Sequence, residues 1–171
     1  MAWVVRVEQI ARIWALLAGA VLLAIMAATS LNTLSFLIGR FTGPFGFVPP
    51  ALPGYEDFVS LAIAVAALAF MPWCQLQRGH IAIDIIVSRL PETISNMIDK
   101  AWLVLLTAVC LFLAYWLATG MIEARSDNAM SPILGWPRWP FFGPGIISLL
   151  LWANVCATQI FTPSERAQSG Q

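Results

Sequence analysis

The chain has 171 residues, of which 60% are hydrophobic and only 11% charged, and its formal net charge is +0. A single water-soluble core of this size has no room for so many Leu, Ala, Ile and Trp side chains, so lipid must solvate much of the surface. With no Lys/Arg cluster anywhere in the chain, nucleic acid is excluded as a partner.

A membrane-crossing helix needs about 20 largely apolar residues. Four stretches qualify, at roughly 13–38, 58–76, 101–122 and 141–161. In lipid each backbone N–H and C=O must be satisfied within its own segment, so all four are expected to be helices. The fold class is therefore all-α integral membrane, a single membrane domain over 1–171 with four transmembrane helices. The first run is too long for the apolar core of a cleaved signal peptide, and no clear small-residue cleavage site follows it.

Span one carries Ala20, Ala24 and Ala28 at every fourth position, with Ala15 and Gly19 nearby, and Thr29, Asn32, Thr33 and Ser35 towards its end. Small residues let helices approach closely where lipid tails offer no hydrophobic drive to associate. "TGPFGFVPPALPGYED" (42–57) is too rich in Pro and Gly for regular structure and reads as an outer loop. Span two repeats the small-residue stripe with Ala62, Ala66 and Ala69, and Pro72 removes one helical hydrogen bond near its end.

"QLQRGHIAIDIIVSRLPE" (75–92) is too hydrophobic for a loop and too short and charged to span a bilayer. On a helix, His80, Asp84 and Ser88 fall at i, i+4 and i+8, a narrow polar stripe on a cylinder otherwise covered by Ile, Val and Leu. Such a helix lies in the headgroup boundary. Gly79 supplies the turn into it, and Pro91 ends it and starts a second one carrying Ile94, Met97, Ile98 and Ala101 on one face. The region from roughly 80 to 100 is thus expected to form two interfacial amphipathic arm helices between spans two and three. "SPILGWPRWPFFGPG" (131–145) is an irregular aromatic lead-in to span four.

Counting Lys and Arg by side gives the orientation. Arg6, Arg12, Arg78, Arg89, Lys100 and Arg166 lie on one side, and Arg40, Arg125 and Arg138 on the other. The positive-inside rule then places both termini and the arms in the cytoplasm. Trp3, Tyr55, Trp73, Trp102, Trp136 and Trp139 gather near the span boundaries, where amphipathic rings anchor at headgroup depth.

Chemistry is sparse. An ionisable group inside the bilayer marks function by default, yet none of the four apolar runs contains Asp, Glu, Lys, Arg or His. No apolar helix is visibly interrupted around a Gly-rich centre, as carrier cores require. Cys74, Cys110 and Cys156 are far apart and read as buried structural thiols. A single His, with no paired Cys, supports no haem, thiol-redox or metal site. His80 and Asp84 make at most two ligands and read as a local i, i+4 contact. No catalytic residue, cofactor or enzymatic activity is expected.

"RGHIAID" (78–84), after a span and before a Leu-Pro step, resembles the inner-loop signature of the small membrane subunit of TRAP transporters, the DctQ-like family. "LNTLSFLIGRF" (31–41), with Asn32 and Arg40, resembles the family's exit from span one. Glu56 in "LPGYEDF" (52–58) matches its acidic opening of span two, and "WPRWPFFGPG" (136–145) is similar to its lead-in to the last span. The resemblance implies a subunit of a tripartite, sodium-coupled secondary importer (symport) of organic acids in a bacterial inner membrane. Its implied partners are a large multi-span TRAP membrane subunit, a periplasmic substrate-binding protein and membrane lipids. It also implies a scaffold role, with Arg78, Gly79, His80 and Asp84 holding the inner elbow. Arg40, Glu56 and Asp57 are its candidate outer-face partner contacts. Two other readings fit four apolar spans: the small subunit of a tripartite tricarboxylate-type importer, and a self-sufficient homo-oligomeric channel or exporter with Asn32 or Asn154 lining a polar path.

Overall fold

The computed structural model describes residues 2–43, 46, 50, 53–77 and 92–161. Four helices carry the fold: α1 (Ala2–Thr42), α2 (Tyr55–Leu76), α3 (Glu92–Ser126) and α4 (Phe142–Phe161), the last preceded by a 3-10 turn at Trp139–Phe141. All four are long and apolar enough to cross a membrane. Among the described residues there is no strand, only an isolated bridge between Met130 and Pro137.

Two helices overrun the expected spans. α1 has 41 residues, about 60 Å of helix at 1.5 Å per residue, against a hydrocarbon core of about 30 Å. Nothing in 2–12 interrupts it, since Arg6, Glu8 and Arg12 are good helix formers and the first proline is Pro44. α3 begins at Glu92 and runs unbroken to Ser126, so residues 92–100 continue the third span as helix. No Gly or Pro stands between Glu92 and Gly120 to break it. Ile94, Met97 and Ile98 do share an exposed face there. Residues 78–91, with the rest of the arm region, lie outside the described residues.

α2 and α4 form the centre, with α1 packed mainly on α2 and α3 on α4, on opposite flanks. α3 and α4 are antiparallel: Gly120 faces Phe142, and Leu117 faces Gly145. Gly145 is a point of close approach. A Cβ there would stand 3.0 Å from Leu117 Cδ2 and 3.4 Å from Leu68 Cδ1, so both neighbouring helices use the missing side chain.

On α1 the packed seam runs Val7, Ala11, Trp14, Ala18, Val21, Ile25 and on through Asn32, each buried or half-buried. Its steps alternate between four and three, the repeat that keeps one face of a helix towards a partner. This corrects the expected stripe: Ala20 and Ala24 are exposed, because an every-fourth line drifts about 40° around the helix at each step. The stripe on α2 does pack, with Ala62, Ala66 and Ala69 buried. Cys110 and Cys156 are buried as well, but Cys74 is exposed. It continues the open face of Ser60, Ile63, Ala67 and Met71 along α2 rather than the packed one.

Candidate functional site

Several polar residues of this chain tie its elements together, and three contacts show how. The first sits where α2 begins. Gly54, in the left-handed conformation with φ 75, turns the chain into α2, and its carbonyl accepts from the Asp57 amide at 3.1 Å. The Asp57 carboxylate, 5% exposed, accepts hydrogen bonds from the Ile133 amide at 2.9 Å and the Leu134 amide at 2.7 Å. An ionised carboxylate is acceptor-only, so two converging N–H donors suit it, and its place in the first turn of α2 matches the helix dipole. A Cβ at Gly54 would collide with the Leu134 side chain, so glycine is required there on two grounds.

The clasped segment is a hairpin with its own internal order. α3 ends in a Schellman motif: the Asn128 amide donates to Arg125 O at 3.3 Å, and the Ala129 amide to Ala124 O at 2.9 Å. Asn128 takes φ 48, the left-handed value this motif needs. Beyond it, the Ser131 amide donates to Trp136 O at 2.8 Å, and the Ser131 hydroxyl oxygen accepts from the Trp136 amide at 3.0 Å. The Arg138 amide donates to Ala129 O at 3.0 Å. The Arg125 guanidinium stands 5.2 Å from the centroid of the Trp139 ring.

A second contact lies where α2 and α4 finish. Gln75 Nε2 donates to Gln159 Oε1 at 2.9 Å, Gln159 Nε2 donates back to the Gln75 carbonyl at 3.1 Å, and Trp152 Nε1 reaches Gln75 Oε1 at 3.5 Å. Pinned at both ends, α2 and α4 run parallel. The third contact ties in α1: Trp14 Nε1 donates to Ser148 Oγ at 2.8 Å, and that fully buried hydroxyl donates to Pro144 O at 2.7 Å.

Several other span hydroxyls and amides bond to their own helix, while the Ser35 hydroxyl donates to Pro50 O at 2.9 Å. Thr29, Thr33 and Thr107 donate to the carbonyls of Ile25, Thr29 and Leu103, and exposed Asn154 donates to Leu150 O. Among the described residues, no group of three His, Cys, Asp or Glu is placed to hold a metal ion.

The expected site residues fall into two sets. Arg40, on the last turn of α1, and Glu56 are exposed, whereas Asp57 is buried with its carboxylate already occupied by the hairpin. Arg78, Gly79, His80 and Asp84 lie outside the described residues. Gln75, Ser148 and Gln159 escape a search for ionisable groups because they are uncharged. Looking for amides and hydroxyls within apolar runs is what finds them.

A family model described as the DctQ component of the tripartite ATP-independent periplasmic transporters matches residues 45–166, well over half of the chain. The match takes in α2, α3, α4 and both ends of the hairpin, and "RGHIAID" falls within it, while α1 precedes it. No curated protein and no solved structure matches the chain.

Proposed function

Because the chain belongs to the DctQ component family of the tripartite ATP-independent periplasmic transporters, we propose that it is the scaffold beside a large multi-span transport subunit. In this reading it braces that subunit in a sodium-coupled importer of organic acids and helps dock a periplasmic binding protein. One observation carries the reading. The apolar runs of the four spans hold no Asp, Glu, Lys, Arg or His, and the polar contacts of Trp14 with Ser148 and of Gln75 with Gln159 join helix to helix. A carrier core has to offer polar groups to its cargo and then take them back. Here those groups are engaged in packing, which suits a part that stays still while another moves.

Both termini lie in the cytoplasm in this reading, from the six-to-three distribution of Lys and Arg. Exposed Arg40 and Glu56 are the outer contacts for partner chains, and Asp57 contributes through the hairpin it holds. Arg78, Gly79, His80 and Asp84 set the bend between the second span and the segment that follows. Removing the charge with Asp84→Ala should weaken assembly more than it alters substrate preference, and normal complex yield would count against this role.

The deciding experiment is affinity purification of the chain in mild detergent, with mass spectrometry of its stoichiometric membrane partners. One larger, many-spanned protein in equal amount is the expected result. Recovery of this chain alone as a homo-oligomer would overturn the scaffold reading in favour of a self-sufficient channel.

A further inference from the structure

We propose that the hairpin between α3 and α4 is a lipid-binding element: it seats in the headgroup layer of the leaflet at its end of the bundle, and Asp57 holds it at that depth. The inference stands apart from the scaffold role and from which side of the membrane this end faces.

The side chains are the first argument. Ile133 is 56% exposed and Met130 60%, with Leu134, Trp136 and Trp139 also open. These are large apolar and aromatic groups on a connection that water would be expected to solvate. Indole rings carry an apolar body and a single N–H donor, the combination that settles at the membrane boundary. Two guanidinium groups flank them, since Arg125 and Arg138 are both exposed. Arginine pairs with phosphate oxygens through parallel N–H donors, and its aliphatic stem lies along apolar surface while the head stays polar. Arg125 already stacks over Trp139 at 5.2 Å, so one cation and one indole form a unit facing the headgroups. Glu123 and Asp127 are exposed on the α3 side of the hairpin, which leaves the Trp136–Trp139 arm as the cationic one.

The backbone is the second argument. A segment that leaves bulk water must satisfy its own N–H and C=O groups. Several of its amides are satisfied within the hairpin, through the Schellman motif, the Ser131–Trp136 pair, the Gly135 amide on Ser131 O and the Arg138 amide on Ala129 O. Two amides at its tip, those of Ile133 and Leu134, are taken up by Asp57. A carboxylate from another helix thus takes up two more amides of a segment otherwise exposing hydrophobic side chains.

The test uses the full chain with Cys74→Ser, which removes the exposed thiol, and Ile133→Cys, which keeps the backbone donor to Asp57. A spin label at position 133 is placed in nanodiscs of phosphatidylethanolamine and phosphatidylglycerol. Its collision rates with oxygen and with a water-soluble nickel chelate are then compared with those of free label in buffer. Expected is protection from nickel with retained access to oxygen, and loss of that protection on adding Asp57→Asn. Nickel access at the value of free label would overturn the proposal. So would protection that arises only when a soluble protein partner is added, since that assigns the hairpin to a protein. Label depth unchanged by Asp57→Asn, with helix content intact, would overturn the part given to Asp57. Should Asp57→Asn fail to fold, Ser131→Ala loosens the same hairpin by removing the acceptor for the Trp136 amide, and the same loss of protection is expected.

Discussion

Asp57 and Glu56 are neighbours with opposite fates. One helical step of about 100° turns the Asp57 carboxylate onto the hairpin amides and leaves Glu56 exposed. Composition marks both as acids at the start of a span, but only the partner 76 residues away distinguishes them. Sequence alone has no access to that separation. The cysteines teach the same lesson. All three sit in apolar runs, which reads as burial, yet in a membrane protein an apolar position faces either a neighbour helix or lipid. Cys74 belongs to the exposed side of α2. An apolar maleimide should therefore label Cys74 in mild detergent and leave Cys110 and Cys156 untouched until the protein is unfolded. Equal labelling of all three in the folded state would contradict the packing of α3 on α4.

At the scale of elements, the four apolar runs gave the number and order of the helices, because lipid leaves a spanning chain few alternatives. Helix ends were harder to read. A hydropathy window reports how much of a helix is greasy, whereas the helix continues until Gly, Pro or a cap stops it. α1 and α3 accordingly overrun their apolar cores through Arg6, Glu8 and Arg12 in one case and residues 92–100 in the other. What joins α2 to α4 was not legible, since amides draw no attention in a search for charge. The Gln75–Gln159 pair makes two interhelical bonds, and such bonds in membranes are each worth about 0.6 kcal/mol on average. Gln75→Met, close in shape, keeps the bond to the Gln75 backbone carbonyl but removes the side-chain bonds to Gln159 and from Trp152, and should lower the unfolding free energy in detergent by about 1 kcal/mol. Asn154→Leu should be near neutral, because the exposed Asn154 amide bonds only within its own helix. A Gln75→Met midpoint indistinguishable from wild type would show that the pair contributes nothing net.

For the whole molecule, the arrangement of a central α2–α4 pair with α1 and α3 on its flanks leaves much of both outer helices open. Two alanines separate internal packing from external contact. Ala66, 1% exposed, has no space for a larger side chain, and Ala66→Leu should cost about 1–3 kcal/mol through overpacking. Ala20 faces outward on α1, so Ala20→Leu should leave the unfolding midpoint of the isolated chain unchanged. Loss of the large partner in affinity purification with Ala20→Leu, at normal yield of this chain, would locate the docking side on α1. Retention would move the search to the open face of α3. The family resemblance was legible from a handful of motifs in order along the chain, and the matched region confirms it for residues 45–166.

The three long-range contacts share a property that concerns the making of the chain. Trp14 waits for Ser148, Gln75 for Gln159, and Asp57 for Ile133 and Leu134. Each early side chain finds its partner in a part made well after it, between residues 133 and 159. Until the hairpin and α4 are in place, an indole N–H, a glutamine amide and a carboxylate all lack those bonds, and within hydrocarbon an unsatisfied polar group costs several kcal/mol. The hairpin completes the bonds of Asp57, and α4 those of Trp14 and Gln75. A chain cut short before residue 131 carries three separate marks of its incompleteness, available to whatever surveys the membrane for unfinished proteins.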